Sequence, residues 1–220
     1  MNADKQTYQK IIRVEVPSKD FKDFDYPDVF LKEIHTILKV TKEICERENI
    51  NYFIDGGTLL GCVRDNGQIP YDNDADLGMF KKDFNKIIKF QDEYEKEGYY
   101  MFVEGDKCRI LSGKVYIKQD EKQDDNFRIV PGVDILVYEI INENNINKVV
   151  IKDENYKREY PYAFHYLKHL LPMKEYKYSC PSCDEILILK GPNNPKNYLD
   201  GTYPEWNTKR IYDHKTYFVN

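Results

Sequence analysis

The chain has 220 residues and a mass of 26.3 kDa, enough for one domain with a sizeable buried core. Lys plus Arg number 33 against 38 Asp plus Glu, a net charge of −5, which excludes the basic footprint of a general nucleic-acid binder. Aromatics at 14% exclude a disordered chain, and no apolar run reaches the roughly 18–20 residues that span a bilayer.

Residues 1–26 read as an irregular N-terminal extension with one apolar stretch, IIRVEV, at 11–16, and residues 27–220 as a single domain. The first ten residues, MNADKQTYQK, are polar and show no signal peptide. Five Cys fit a reducing compartment better than a disulfide framework, so a cytoplasmic protein is expected. Pro27 suits the first turn of a helix over 28–48, with Phe30, Ile34, Ile37, Leu38, Thr41, Ile44 and Cys45 on one face. YFID at 52–55 predicts a strand that runs into Gly56 and Gly57, and 58–64 a short helix with Thr58 as its cap. A strand is expected over 76–80 and a helix over 83–97, stopped by Gly98. Strands follow at 99–103, 108–111, 114–118 and 132–141, the last returning through the NENNIN hairpin at 142–147 to 148–151. A polar loop is expected at 120–125, a helix around 162–171, a buried strand at 186–189 and a last short helix from Pro195. Strands mixed with helices give an α/β or α+β fold, a mixed β-sheet flanked by helices.

Three features between Ile54 and Phe80 bear on chemistry. Glycines after a strand let the backbone turn tightly against a ligand, and the next helix offers unpaired N–H groups to a phosphate. An ordinary strand–turn–helix corner looks the same. Asp72, Asp74 and Asp76 alternate, so an extended backbone puts all three on one side, an arrangement that calls for a cation such as Mg²⁺. A solvated acidic loop is the alternative, whereas an EF-hand is excluded by Leu77 and Asp83 at the positions that need Gly and Glu. Arg64 lies between turn and acids, suited to a phosphate or equally to a surface ion pair. Asp134 lies inside the apolar run VDILVYEII and becomes a third ligand if its strand lies beside that of Asp74 and Asp76, the alternative being a hydrogen-bonded acid at a strand end.

The stretch GGTLLGCVRDNGQIPYDNDADLGM, Gly56 to Met79, resembles the LicD family, which includes the fukutin-type phosphotransferases. VDIL at 133–136, LLPM at 170–173 and GPNNPKNYLDGTYPEW at 191–206 extend the likeness, although LDGTY at 199–203 departs from the family's Tyr-Gly-Asp. The resemblance implies a nucleotidyltransferase-like fold. It also implies transfer of a phospho-alcohol, phosphocholine or ribitol/alditol phosphate, from a CDP-activated donor to the hydroxyl of a glycan or glycoconjugate. Asp74, Asp76 and Asp134 match the family's Mg²⁺ (or Mn²⁺) ligands, Asp72 leads the acidic triplet, and Gly56, Gly57, Thr58 and Arg64 line the donor side. Two alternatives stand: a nucleotidyltransferase acting on a small molecule or protein, and an inactive nucleotide- or glycan-binding module. Separately, His165, His169, Cys180 and Cys183 form a candidate structural Zn²⁺ set if 162–171 is helical, against the alternative of solvent-facing histidines and a plain turn.

Overall fold

The computed structural model describes residues 26–118, 128–154, 164–203, 206 and 207, together with backbone strands at 12–13, 209–212 and 215–218. The 120–125 loop and all of IIRVEV except the first strand, β1 (Ile12–Arg13), lie outside the described residues. Helix α1 (Asp28–Arg47) starts after Pro27, which caps the helix instead of occupying its first turn. Every residue of the expected apolar stripe is buried. Burying a large apolar side chain contributes about 1.5–3 kcal/mol, so this stripe fastens α1 to the sheet.

Strand β2 (Phe53–Ile54) runs directly into α2 (Gly56–Arg64), and β3 (Asp74–Phe80) follows, two residues longer at its start than the sequence suggests. The helix expected over 83–97 is broken into α3 (Lys81–Ile87), a 3-10 turn at Ile88–Phe90 and α4 (Gln91–Lys96). The break lets α3 pack on the sheet while α4 brings the Tyr94 hydroxyl to donate to Thr41 of α1 at 3.0 Å. Next come β4 (Tyr99–Glu104), β5 (Lys107–Ser112), β6 (Val115–Lys118) and β7 (Arg128–Ile129). Strands β8 (Gly132–Glu143) and β9 (Ile146–Ile151) form the expected hairpin, its turn held by Asn144 and Asn145 at φ 52° and 63°.

The helix expected at 162–171 is present only in its second half. Residues 162 and 163 are outside the described residues, β10 (Phe164–Tyr166) pairs with β9, and only α5 (Leu167–Leu170) is helical. A free sheet edge recruits this segment, which local periodicity does not report. Strands β11 (Lys174–Tyr178) and β12 (Leu187–Gly191) pair with each other, so β12 buries only alternate residues. Helix α6 (Pro195–Thr202) and the hairpin β13 (Lys209–Tyr212) and β14 (Lys215–Phe218) close the chain.

The main sheet has seven strands in the order β10-β9-β8-β3-β2, with β5 on the other edge of β8 and β4 beyond it. Only β3 and β8 run parallel within it, so the sheet is mixed, as expected. Period-two alternation divides its centre. Ala75, Leu77, Met79, Cys108, Ile110, Val133, Ile135 and Val137 are buried in the core under α1. Their sequence neighbours Asp74, Asp76, Lys107, Arg109 and Asp134 go to the other face. Among the described residues, no helix is long and apolar enough to cross a membrane.

Candidate functional site

The acidic cluster is assembled by strand register. In the parallel β3–β8 ladder Asp76 pairs with Asp134 and Asp74 with Gly132. Paired residues on neighbouring strands lie about 4.8 Å apart and face the same side, so Asp74, Asp76 and Asp134 share one surface. Asp72 precedes the strand but hydrogen-bonds to Asp74. The conditional pairing on which Asp134 depended is present.

The glycine turn is built around these acids. Gly57 N–H donates to Asp76 Oδ2 at 2.8 Å. Gly56 has φ +45°, a conformation that a side chain disfavours, and a Cβ there would overlap Asp76 Oδ2. A Cβ on Gly57 would overlap Asp72 Oδ2. Thr58 does not cap α2, whose N-cap is Asp55. Its hydroxyl instead accepts from the backbone N–H of Asp76 at 2.7 Å, pegging the helix to the acidic strand. Thr58 lies inside the first turn because the helix starts two residues before the sequence suggested.

Arg64 ends α2 and, among the described residues, makes no hydrogen bond to Asp72, Asp74, Asp76 or Asp134. Its Nε and Nη2 donate to Asp65 Oδ2 at 2.9 and 2.7 Å, and Nη2 also donates to the Tyr71 hydroxyl at 2.6 Å. It braces the segment that carries Asp72. Asp134 is held from β5: Lys107 Nζ lies 2.8 Å from its Oδ2, and Arg109 donates from Nε and Nη2 at 2.8 and 3.1 Å.

Crowding shows in the protonation of the acids. Burial first, and then the Asp134 charge, push Asp74 up to about 6. Burial and the neighbouring Asp74 hold Asp72 well above the carboxylate range, and burial with Asp74, Asp72, Asp134 and Asp55 does the same for Asp76. A carboxyl whose folded pKa lies above its unfolded value of 3.8 stabilises the fold fully below that pH and loses the contribution as pH rises through about 6. For Asp74 that loss is on the order of 3 kcal/mol. Asp74→Asn should therefore gain stability relative to the parent between pH 4 and 7 in metal-free buffer. Urea unfolding at the two pH values checks this, and an equal difference at both would contradict it.

Among the described residues, no three His, Cys, Asp or Glu side chains are preassembled around a metal. The donor chemistry nonetheless fits a hard divalent cation, since these are oxygen ligands with uncompensated repulsion. Each carboxylate oxygen has two lone-pair positions. Asp76 Oδ1 accepts no hydrogen bond among the described residues, and Asp134 Oδ1 takes one donor from Arg109, whereas Asp134 Oδ2 takes both Arg109 and Lys107. The structure does not gather the four residues considered for zinc. His165 lies in β10, where its ring stacks on Tyr198 at 3.4 Å, and burial pushes it down to about 3. His169 meets the Tyr166 ring edge-on at 5.3 Å. Cys180 and Cys183 share one tight turn, with Cys183 N–H donating to the Cys180 carbonyl.

Asp55 was not singled out by the sequence. It is 3% exposed and accepts from the Tyr138 hydroxyl, with the Tyr198 hydroxyl alongside. Burial raises its pKa. The signal available was an acid closing an apolar strand immediately before Gly-Gly. Tyr138→Phe removes a donor from this buried carboxyl and should cost about 1–3 kcal/mol in urea unfolding. An unchanged midpoint would show that the pair carries no stability.

A central parallel strand pair bearing aspartates in register, next to a glycine turn at a helix start, defines a nucleotidyltransferase-type domain. The chain belongs to the LicD/FKTN/FKRP nucleotidyltransferase domain family, whose sequence model matches residues 49–183. It is 28% identical over 180 residues to an uncharacterized protein of Rickettsia prowazekii, covering 81% of this chain and 56% of that protein. Lipopolysaccharide cholinephosphotransferase LicD of Haemophilus influenzae is 38% identical over 61 residues, covering 27% of this chain and 23% of that one. Human ribitol 5-phosphate transferase FKRP is 20% identical over 195 residues, 84% of this chain and 34% of its own. The chain spans about half the length of the two rickettsial relatives it matches, 56% and 48%.

Proposed function

We propose that this domain transfers a phospho-alcohol, phosphocholine or an alditol phosphate, from a CDP-activated donor to a hydroxyl of a glycan or glycoconjugate. The carrying observation is the β3–β8 register that sets Asp76 beside Asp134, with Asp74 on the same face. Family membership and the cholinephosphotransferase and ribitol 5-phosphate transferase among its bacterial and human relatives support the transferred group.

In this reading the acceptor oxygen attacks the phosphorus that bears the alcohol. The bond from that phosphorus to the CMP oxygen breaks, and CMP leaves with the electron pair. We assign the acceptor's proton to Asp72, whose carboxyl would be ionised for that role once a bound cation offsets the charge of Asp74 beside it. Asp74, Asp76 and Asp134 would hold a divalent cation such as Mg²⁺, which when bound offsets the charge of the diphosphate. The Gly56–Gly57 turn keeps the backbone low enough for the donor to approach the acids. The test is a screen of CDP-choline and CDP-alditols with candidate glycans, with and without EDTA, reading CMP release and the mass added to the acceptor. CMP release with a matching phospho-alcohol mass supports the reading. Addition of a nucleotide mass instead would replace it with nucleotidyl transfer.

A further inference from the structure

Arg109 is unlike the other cations near the site. Across the β5–β8 ladder it pairs with Asp134, which pairs in turn with Asp76 across β8–β3. One row on one face therefore reads cation, acid, acid. Two residues along β5, Lys107 shares that face and also grips Asp134. The guanidinium is fixed by its two bonds to Asp134, and Nη2 stands 3.8 Å from Asp74 Oδ2. A planar fork locked along one edge has lost its freedom to swing. Its Nη1 makes no hydrogen bond among the described residues, and the side chain is 49% exposed. The result is a preoriented pair of donors beside the acidic cluster.

The balance of charge says what these donors suit. Asp72, Asp74, Asp76 and Asp134 together repel any anionic ligand. Arg64 bonds to Asp65 and Tyr71 and to none of these four among the described residues. That leaves Lys107 and Arg109 as the side-chain cations bonded into the cluster. Guanidinium edges match phosphate oxygens in a bidentate manner that an ammonium does not reproduce.

We propose that Arg109, locked by Asp134, binds the phosphate oxygens of a nucleoside diphosphate through its outward Nη1 edge, so that Asp134 serves as the anchor of a phosphate-binding arginine. The identity of that ligand as the CDP end of the donor rests on the function proposed above, but the phosphate-binding role does not.

The test is titration calorimetry of CDP, UDP and inorganic pyrophosphate in Mg²⁺ buffer, on the parent, Arg109→Lys and Arg109→Ala, with a thermal melt of each. Arg109→Lys should melt near the parent yet weaken CDP by about tenfold, and Arg109→Ala should weaken it further. Folded variants that bind CDP as the parent does would overturn the inference. If the parent binds UDP or pyrophosphate but not CDP, the CDP-donor reading fails, and the same comparison on the bound ligand decides the role of Arg109. A parent that binds none of the three overturns it as well.

Discussion

Asp74→Asn and Asp76→Asn should each lower CMP release by about 10³-fold while leaving the fold intact. Both side chains are half-buried on the face of β3 opposite Ala75 and Leu77, so the amide replaces no apolar core contact. What disappears is negative charge at the place where a divalent cation and a diphosphate would meet. For Asp74 the fold should even gain, because its carboxylate is held against burial and the Asp134 charge. Loss of turnover combined with equal or higher stability is the signature of a functional carboxylate rather than a structural one. Circular dichroism melts alongside CMP assays check it, and a variant that turns over like the parent would remove these residues from the mechanism.

Gly56→Ala should damage both stability and activity, by about 2–4 kcal/mol and 10²-fold or more. Two costs combine at this position. The backbone has φ +45°, and the new methyl would collide with the Asp76 carboxylate and its Cβ, which the strand register holds in place. Gly57→Ala is the informative comparison. Its clash is with the end of the Asp72 side chain, outside the strand, and its backbone does not have the positive φ of Gly56, so its stability cost should be smaller. If Gly56→Ala melted and turned over as the parent does, the tight approach of the turn to the acids would have no consequence.

The elements were largely legible, and the exceptions share a cause. The α1 stripe, the Asn-rich hairpin and the strand–turn–helix at Gly56 follow from local rules: helical spacing, residues that tolerate positive φ, and glycine after a strand. The helix at 83–97 is present but interrupted by a 3-10 turn at Ile88–Phe90, beyond which Tyr94 reaches Thr41 of another helix. The segment around His165 failed because an unfilled sheet edge claimed it, and with that the four-residue spacing to His169 lost its helical meaning. Asp55 was passed over because its importance lies in Tyr138, 83 positions away.

By itself the sequence determined the acids, the glycines and the likeness to a phosphotransferase family, because motif spacing and residue chemistry are properties of neighbouring positions. The tertiary structure decided which carboxylates stand together and which cations hold them. Parallel pairing of β3 with β8 brings Asp134 to Asp76, and antiparallel pairing of β5 adds Arg109 and Lys107 on the same face. Strand register is a long-range outcome of burying Leu77, Ile135 and Ile110 against α1, and no local spacing encodes which polar residues that burial leaves side by side.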